Sequence, residues 1–327
     1  MLTCVTRAEA WQMKEPFEIS REVITSLRVL HVELRDTRGR RGVAEAAGVD
    51  YDGETPESMA RQVEAVATGL HDEVSGADLL CLLPAGGARN ALDCALWDLR
   101  AKQAGRRAWQ AAGLRGLEPV LTDYTIGLGD ETTTRRKARA ARGYPLLKVK
   151  VDASRHVDQV RVVKEEHPRV RIIVDANQAW SRELLEGLLP SLHDLGVELI
   201  EQPLPRGEDA CLDGLASPVP LAADESCTDR GSLANLVGRY QFVNIKLDKC
   251  GGLTEALSVA QQARALGLGL MVGNMCGTSL AMAPAFLLAQ QCEYVDLDGP
   301  LLQVLDREPS MAYRQGRVEP PPPELWG

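Results

Sequence analysis

The sequence predicts an α/β protein in which a parallel barrel follows a smaller α+β domain. Short apolar runs end in charged residues at regular intervals. Asp175, Glu201, Asp224 and Lys246 follow Lys150 in steps of 22 to 26 residues. Such a step fits one strand, one helix and two loops. Because the C-terminal ends of parallel strands converge on one rim of a barrel, these side chains are predicted to share one site.

The first 115 residues predict an antiparallel sheet followed by helices. Residues 26–34 alternate between apolar and polar side chains, and a turn then leads to a returning strand at 42–49. Thr55 before a proline is typical of a helix start. A second helix is predicted over 88–104, with Gly105 as its end. The sequence therefore indicates an α+β unit ahead of the barrel.

The barrel is predicted to span residues 116–300, beginning with a strand at 119–126. Residues 1–115 form the second domain, and the tail 301–327 is expected to join it. Four consecutive prolines end at Pro323 and exclude a helix or an inner strand there. The tail is therefore predicted to pack back on the first domain.

Composition and charge limit the kinds of molecule that this protein is expected to bind. The 327-residue chain carries a net charge of −9 and has a pI near 5.2, so it offers no basic stripe for nucleic acid or anionic lipid. We find no apolar run typical of a signal peptide or a membrane span. The eight cysteines form no C-x-x-C pair and are expected to be reduced thiols. These features favour a cytoplasmic protein with a small-molecule partner, and a homo-oligomer is compatible with them.

The three strand-end carboxylates of Asp175, Glu201 and Asp224 suggest a metal site. Like charges about 4 Å apart cost roughly 4 kcal/mol per pair at an effective dielectric near 20, so three acids need a cation. All-oxygen ligands favour Mg²⁺ or Mn²⁺ over Zn²⁺. Each acid alone is better explained as a cap on a neighbouring helix. Their even spacing favours the metal.

The lysines suit removal of a proton next to a carboxylate. Lys148 and Lys150 lie at i and i+2 of a strand and point to the same face. A cation stabilises the enediolate that forms, while a lysine acts as the base. Lys148 is a like charge that favours the neutral amine of Lys150. Lys246 lies across the barrel, and a base on each face inverts a stereocentre. The alternative is an edge strand whose lysines face water.

Several motifs together resemble the muconate-lactonizing-enzyme subgroup of the enolase superfamily. They are K-V-K at 148–150, V-D-A-N at 174–177, I-E-Q-P at 200–203, A-D-E-S at 223–226, N-I-K-L-D-K-x-G-G at 244–252 and the helix at 89–105. The resemblance implies a (β/α)7β modified TIM barrel under an N-terminal α+β capping domain. It also implies Mg²⁺ on the three acids, Lys150 and Lys246 as the acid/base pair, and Lys148 assisting Lys150 and binding the substrate carboxylate.

The D-x-D pair of Asp296 and Asp298 resembles the signature of dipeptide epimerases, where it holds the substrate's α-ammonium group. This resemblance implies an isomerase that epimerises the C-terminal α-carbon of an L-Ala-D/L-Glu type dipeptide by two-lysine proton transfer, in peptidoglycan recycling. The alternative is a strand end with solvated acids. Arg21 lies where related epimerases contact the substrate side chain, which would favour glutamate. A surface arginine is the other interpretation.

Two other functions stay open from the sequence. The first is a muconate cycloisomerase or an o-succinylbenzoate synthase-like enzyme, whose substrates carry no ammonium group, and the D-x-D pair counts against it. The second is a catalytically silent barrel that only binds a ligand. Retention of every metal ligand and both lysines counts against that. Lys249, three residues after Lys246, is expected to lie in the following loop.

Overall fold

The computed structural model describes residues 1–18 and 23–327, so the predicted contact residue Arg21 lies outside the described part of the chain. The chain begins with an antiparallel sheet in the order β1-β2-β3. Its strands are β1 (Thr3–Glu18), β2 (Val23–Arg35) and β3 (Arg41–Ala46). The turn between β2 and β3 closes with the Gly39 N–H donating to Asp36 O, at a positive φ of 80° that suits glycine. The predicted N-terminal sheet is present.

Four helices follow the sheet, and two of them pack directly against it. They are α1 (Pro56–Ala67), α2 (Gly76–Leu82), α3 (Gly87–Ala104) and α4 (Ala108–Ala111). The Thr55 side chain caps α1 by accepting from the Ser58 N–H, and Gly105 ends α3 in the left-handed conformation. Helix α3 is buried along most of its length, since it packs against the sheet and against the barrel.

An eight-stranded parallel sheet in sequential order follows. After the short β4 (Val120–Leu121), its strands are β5 (Tyr124–Ile126), β6 (Leu146–Lys150), β7 (Arg171–Asp175), β8 (Val197–Glu201), β9 (Leu221–Ala223), β10 (Phe242–Lys246), β11 (Gly269–Gly273) and β12 (Tyr294–Val295). The Asp123 N–H donates to Val295 O at 2.9 Å, which links the last strand to the start of the first. The predicted barrel with an N-terminal capping domain is confirmed.

The connections of the barrel are less regular than the spacing predicts. The helices are α5 (Glu131–Ala140), α6 (Val157–Glu166), α7 (Arg182–Asp194), α8 (Leu247–Cys250), α9 (Leu253–Ala265) and α10 (Ser279–Ala289). Between β8 and β9, and again between β9 and β10, the chain forms only 3₁₀ turns, at Asp209–Leu212 and Arg230–Asn235. Prolines flank the first turn, and two glycines interrupt the second segment.

The C-terminal tail contacts the capping helices. It forms a hairpin of β13 (Tyr313–Arg314) and β14 (Arg317–Val318), and β14 pairs with β4. Trp326 is fully buried and its indole N–H donates to Cys94 O on α3. The Gly327 N–H donates to Asp98 Oδ1. These contacts agree with the direction predicted for the tail, and the division into 1–115 with 301–327 and 116–300 remains our proposal.

Two general properties bear on function. No helix of residues 1–18 and 23–327 is long and apolar enough to span a membrane. All eight cysteines are free thiols, of which three are buried, three are partly buried and two are exposed.

Candidate active site

Strand register brings the predicted metal ligands to one rim of the barrel. Asp175 at the end of β7 pairs in register with Glu201 at the end of β8, and Asp224 directly follows β9. Lys150 pairs in register with Asp175 from the other side. All three acids are fully buried. The structure therefore places the predicted acids on three consecutive strands, beside the predicted base.

Each predicted acid/base lysine forms an ion pair with one of these acids. Lys150 Nζ lies 2.6 Å from Asp175 Oδ2, and Lys246 Nζ lies 2.7 Å from Asp224 Oδ2. Burial acts to lower the pKa of Lys246, but the charge of Asp224 outweighs it and holds that pKa above its usual range. Lys246 is therefore an ammonium group in this environment. Both lysines lie on different sides of the barrel, with three strands between them.

Lys148 has a different environment from Lys150. Its Nζ lies 2.7 Å from Glu201 Oε2, 3.1 Å from Asp175 Oδ2 and 2.8 Å from Asp296 Oδ2. Burial acts to lower its pKa, but these three charges, Asp296 first, hold it well above the usual value. Lys148 is therefore a fixed positive charge, which suits binding of a carboxylate.

The electrostatics of the three acids follow from their cationic neighbours. Burial acts to raise the pKa of Asp175, but Lys150 and Lys148 outweigh it and hold that pKa below the usual range. Asp224 is held well below its usual pKa in the same way, by Lys246 and Lys249. Burial and the charge of Asp175 raise the pKa of Glu201 to about 8. A divalent cation would stabilise all three as carboxylates.

The all-oxygen character of this set fits Mg²⁺. Among the described residues, the three acids whose oxygens lie within 4.8 Å of one another are Asp123, Asp296 and Asp298 rather than this set. Lys148 contacts both Glu201 and Asp175. The set fits the ion by donor type and burial.

Lys249 is buried and does not lie in an open loop, which corrects the sequence prediction. It is part of the short helix α8, which begins directly after β10. The side chain of Lys249 is buried beneath the rim of the barrel. Its Nζ lies 2.5 Å from Asp224 Oδ1 and 3.0 Å from Asn244 O, and it also donates to Asp224 O. Asp224 is thus held by Lys246 on one oxygen and by Lys249 on the other.

The D-x-D pair lies just beyond β12, and both side chains are buried. Asp296 accepts from Lys148 and, at 3.0 Å, from Asn274 Nδ2, while Asp298 Oδ2 accepts from the Thr125 N–H at 2.7 Å. Burial and the charge of Asp296 raise the pKa of Asp298 to about 7. The structure thus brings Asp296 into contact with Lys148, with Asp298 close to it.

A cavity of about 340 Å³ lies between the capping domain and the barrel rim. Lys150, Lys246 and Asp224 line it on the barrel side, together with Asn274. The capping domain contributes residues that include Phe17, Ile24, Leu27 and Tyr51. Asp296 does not line the cavity, but its hydrogen-bond partner Asn274 does, so Asp296 lies behind that part of the cavity wall.

Three residues of the site escaped the sequence analysis. Asn244 lies two residues before Lys246 on the same strand face, and its Nδ2 donates to Glu201 Oε1 at 2.8 Å. The i, i+2 rule that paired the two lysines of β6 would have found it. Asn274 and Asp123 lie in loops, and no periodicity marks such positions.

The fold and site define a class: a capped β/α-barrel enzyme with acids and lysines at the C-terminal rim. Residues 132–323 match the family model described as enolase C-terminal domain-like. Residues 1–113 match the N-terminal domain of mandelate racemase/muconate lactonizing enzyme. The chain belongs to the mandelate racemase/muconate lactonizing enzyme family of the enolase superfamily, which confirms the predicted resemblance.

Two curated relatives are similar over much of the chain. The L-Ala-D/L-Glu epimerase of Escherichia coli K12 is 40% identical over 320 residues, covering 97% of this chain and 99% of the relative. The N-acetyl-D-glutamate racemase of a Pseudoalteromonas species is 46% identical over 250 residues, covering 76% of this chain and 79% of the relative. The two relatives act on different kinds of amino acid derivative.

Two solved structures match nearly the whole fold. An enolase family member from Agrobacterium tumefaciens with homology to dipeptide epimerases, with bound sodium and L-Ala-L-Glu, has a TM-score of 0.97 at 41% identity and full coverage of both chains. A dipeptide epimerase from Methylococcus capsulatus, complexed with Mg and L-Arg-D-Lys, has a TM-score of 0.88 at 30% identity, covering 98% of this chain and 97% of that one.

Proposed function

We propose that this protein is a Mg²⁺-dependent isomerase that epimerises L-Ala-D/L-Glu type dipeptides at the C-terminal α-carbon. The observation that carries the proposal is the pair of lysines on opposite sides of the barrel, each held by a buried acid of a shared set. Whole-length similarity to an L-Ala-D/L-Glu epimerase supports it, as does similarity to a structure containing L-Ala-L-Glu.

In this proposal Asp175, Glu201 and Asp224 would hold Mg²⁺, and the bound ion would supply positive charge to stabilise the negative charge that develops on the substrate carboxylate. Lys148 adds a fixed positive charge beside that carboxylate. Lys150 takes the α-proton from one face and Lys246 delivers a proton to the other, with the roles exchanged for the opposite epimer. Because each lysine serves one face, the product is the inverted centre.

The D-x-D pair is proposed to hold the substrate's α-ammonium group. Asp296 and Asp298 lie next to Lys148, so a ligand with a carboxylate at one end and an ammonium group at the other fits this charge order. A zwitterionic dipeptide has that order. Arg21 remains a proposed contact for an acidic side chain. We further propose a cytoplasmic setting and a small-molecule substrate released from cell-wall peptide.

A second candidate is racemisation of an N-acyl amino acid such as N-acetylglutamate. It is favoured by the 46% identity to an N-acetyl-D-glutamate racemase. The same metal set and lysines would serve that reaction, because both substrates carry a carboxylate next to the reacting carbon. The two candidates differ in one chemical group, since an N-acyl substrate has no ammonium group to place on Asp296 and Asp298.

Proton NMR in D₂O separates the candidates. Purified protein with Mg²⁺ is incubated with L-Ala-L-Glu and, in parallel, with N-acetyl-L-Glu. We expect the α-proton signal of the glutamate residue to disappear in the dipeptide as L-Ala-D-Glu forms, and to persist in N-acetyl-L-Glu. Exchange in N-acetyl-L-Glu with an unchanged dipeptide would overturn the proposal in favour of the second candidate.

A further inference from the structure

Asp123 is a buried acid beside the D-x-D pair. It lies between β4 and β5, where its N–H donates to Val295 O and fixes the backbone. Its side chain has no exposed surface, and neither carboxyl oxygen has a hydrogen-bond partner within residues 1–18 and 23–327. A buried polar group without a partner is destabilising, and more so when it is charged. Asp123 therefore needs a further group that stabilises its two carboxyl oxygens.

The nearest acids to Asp123 are the D-x-D pair itself. One carboxyl oxygen of each of Asp123, Asp296 and Asp298 lies within 4.8 Å of the other two. The charges facing this cluster are Lys148 from β6 and Glu201 from β8. Lys148 is shared with two acids of the proposed metal set. Three ionised carboxylates here would exceed the positive charge around them, so the cluster must hold a proton or another cation.

The hydrogen bonds already made favour a proton. Asp296 uses both oxygens, for Lys148 and for Asn274, and Asp298 uses Oδ2 for the Thr125 N–H. Both oxygens of Asp123 lack a hydrogen-bond partner among the described residues, while each oxygen of the D-x-D pair can accept a further hydrogen bond because it has two lone pairs. A hard divalent cation asks for about six oxygen ligands. A proton shared by two carboxyl groups needs only two oxygens.

We propose that Asp123 carries a proton and donates its O–H to the D-x-D pair. A hydrogen bond donated to a carboxylate stabilises its ionised form, so Asp296 and Asp298 stay anionic for the substrate ammonium. Asp123 is thus a positioning residue that sets the charge of the ammonium site without touching substrate. The consequence for ammonium binding rests on the proposed dipeptide function. The protonation of Asp123 does not depend on that function.

The titration order within the cluster agrees with this assignment. Burial, followed by the charges of Asp296 and Asp298, raises the pKa of Asp123 well above its usual value. The pKa of Asp298 rises only to about 7. Near neutral pH, therefore, Asp123 keeps its proton more firmly than Asp298 does.

Infrared difference spectroscopy tests the proton directly, on Mg²⁺-loaded protein without dipeptide near pH 7.5. Subtracting the spectrum of Asp123→Asn from that of the unmodified protein should leave a carboxylic-acid C=O band that shifts in D₂O. Subtraction of Asp194→Asn, which replaces an exposed carboxylate, should leave no such band. A difference spectrum showing only lost carboxylate bands for Asp123→Asn would overturn the proposal.

Kinetics with two variants tests the positioning role. Asparagine keeps the shape, the neutral charge and a donor, so Asp123→Asn should retain kcat/KM for L-Ala-L-Glu within about threefold. Asp123→Ala removes the donor, and it should lower kcat/KM roughly 10- to 200-fold, mainly through KM, as expected for a hydrogen bond to a charged group. Circular dichroism checks that both variants fold. A loss in Asp123→Asn as large as in Asp123→Ala would contradict the inference.

Two measurements separate this inference from its alternatives. Calorimetric titration with Mg²⁺ should give one ion per chain for both the unmodified protein and Asp123→Asn. Two ions in the unmodified protein and one in the variant would show that the cluster binds a cation, which overturns the inference. If the unmodified protein fails to epimerise any dipeptide, the proposed function falls, while the infrared band still decides whether Asp123 is protonated.

Discussion

Lys246 Nζ lies 2.7 Å from Asp224 Oδ2. This ion pair joins a proposed acid/base group to a proposed metal ligand on the neighbouring strand. Lys150 makes the equivalent pair with Asp175 on the other side of the barrel, at 2.6 Å. Each lysine therefore interacts electrostatically with one acid, and the charge of that acid affects the lysine. A cation that neutralises these acids would also loosen both ion pairs.

The first prediction concerns the two acid/base lysines. Lys150→Ala and Lys246→Ala should each lower net epimerisation of L-Ala-L-Glu by at least about 100-fold, because a positioned general base contributes roughly 10² to 10⁴. Each variant should still exchange the α-proton of one epimer with D₂O, and the two should prefer opposite epimers. Proton NMR with L-Ala-L-Glu and L-Ala-D-Glu measures both effects. If a variant lost exchange of both epimers to the same extent, that result would argue against a mechanism with one lysine on each face.

Lys249 provides the matched comparison, because it contacts Asp224 as Lys246 does but does not line the cavity. Lys249→Met should weaken metal binding and reduce epimerisation of both epimers equally. It should not uncouple exchange of one epimer from the other. Face-selective exchange in Lys249→Met, with normal epimerisation in Lys246→Ala, would mean that Lys249 is the second acid/base group.

The second prediction concerns the metal. Asp224→Asn should weaken Mg²⁺ binding by more than about tenfold, since even changes outside the ligand set commonly cost 10- to 100-fold. Activity should fall with it, and chelation with EDTA should abolish the activity of the unmodified protein. Calorimetric titration and the epimerisation assay provide the measurements. Full activity after exhaustive chelation would exclude the proposed role of the ion.

Stability is the necessary control for this variant. Asp224→Asn leaves the ammonium groups of Lys246 and Lys249 without their buried anion, and breaking a buried pair commonly costs about 3 to 5 kcal/mol. We therefore expect circular dichroism to show a lower Tm. The spectrum at about 20 to 25 °C should remain that of the folded protein. Lys246→Ala should show a comparable loss, so activity is compared between variants of similar Tm.

The strand-end charges could be predicted because they obey a simple rule. Lys150, Asp175 and Glu201 end strands of similar length, and register in a parallel sheet brings such ends together. Spacing thus predicted the barrel rim and placed the three proposed metal ligands on it. The two 3₁₀ connections were not predicted, because a step of 22 to 26 residues leaves room for a helix that prolines and glycines then prevent.

The parts that could not be predicted depend on three-dimensional packing. Lys249 is three residues past a strand end, and only the immediate start of α8 turns its side chain beneath Asp224. Asp123 precedes β5 without any periodicity, and its proximity to Asp298 arises from closure of the barrel. Such contacts join segments far apart in the chain, so local pattern carries no signal for them.

The third prediction concerns the proposed ammonium site. Asp298→Asn should lower kcat/KM for L-Ala-L-Glu by roughly 10- to 200-fold, because a charge-assisted hydrogen bond contributes about 1.5 to 3 kcal/mol and each decade corresponds to 1.36 kcal/mol. N-acetyl-L-Ala-L-Glu should be a poorer substrate of the unmodified protein by a similar or larger factor. Equal rates with free and acetylated dipeptide would remove the main support for a dipeptide substrate.

The fourth prediction concerns pH and stability through Asp248. This buried acid accepts from the Gly48 N–H at 2.8 Å, and burial raises its pKa to about 7. Between about pH 4 and pH 7 the folded state therefore holds a proton that the unfolded chain has lost. The contribution of Asp248 to the free energy of unfolding must therefore fall as pH rises through that range. Above about pH 7 the full cost of burying its charged carboxylate is present.

Asp248→Asn should remove that penalty, because asparagine keeps the acceptor for Gly48 and carries no charge. We expect the variant to gain more in Tm at pH 8 than at pH 5, measured by thermal unfolding with the same Mg²⁺ concentration in both buffers. Asp194→Asn, at an exposed position, should change the free energy of unfolding by less than about 0.5 kcal/mol at either pH. An equal Tm change for Asp248→Asn at both pH values would show that Asp248 is ionised in the folded protein throughout.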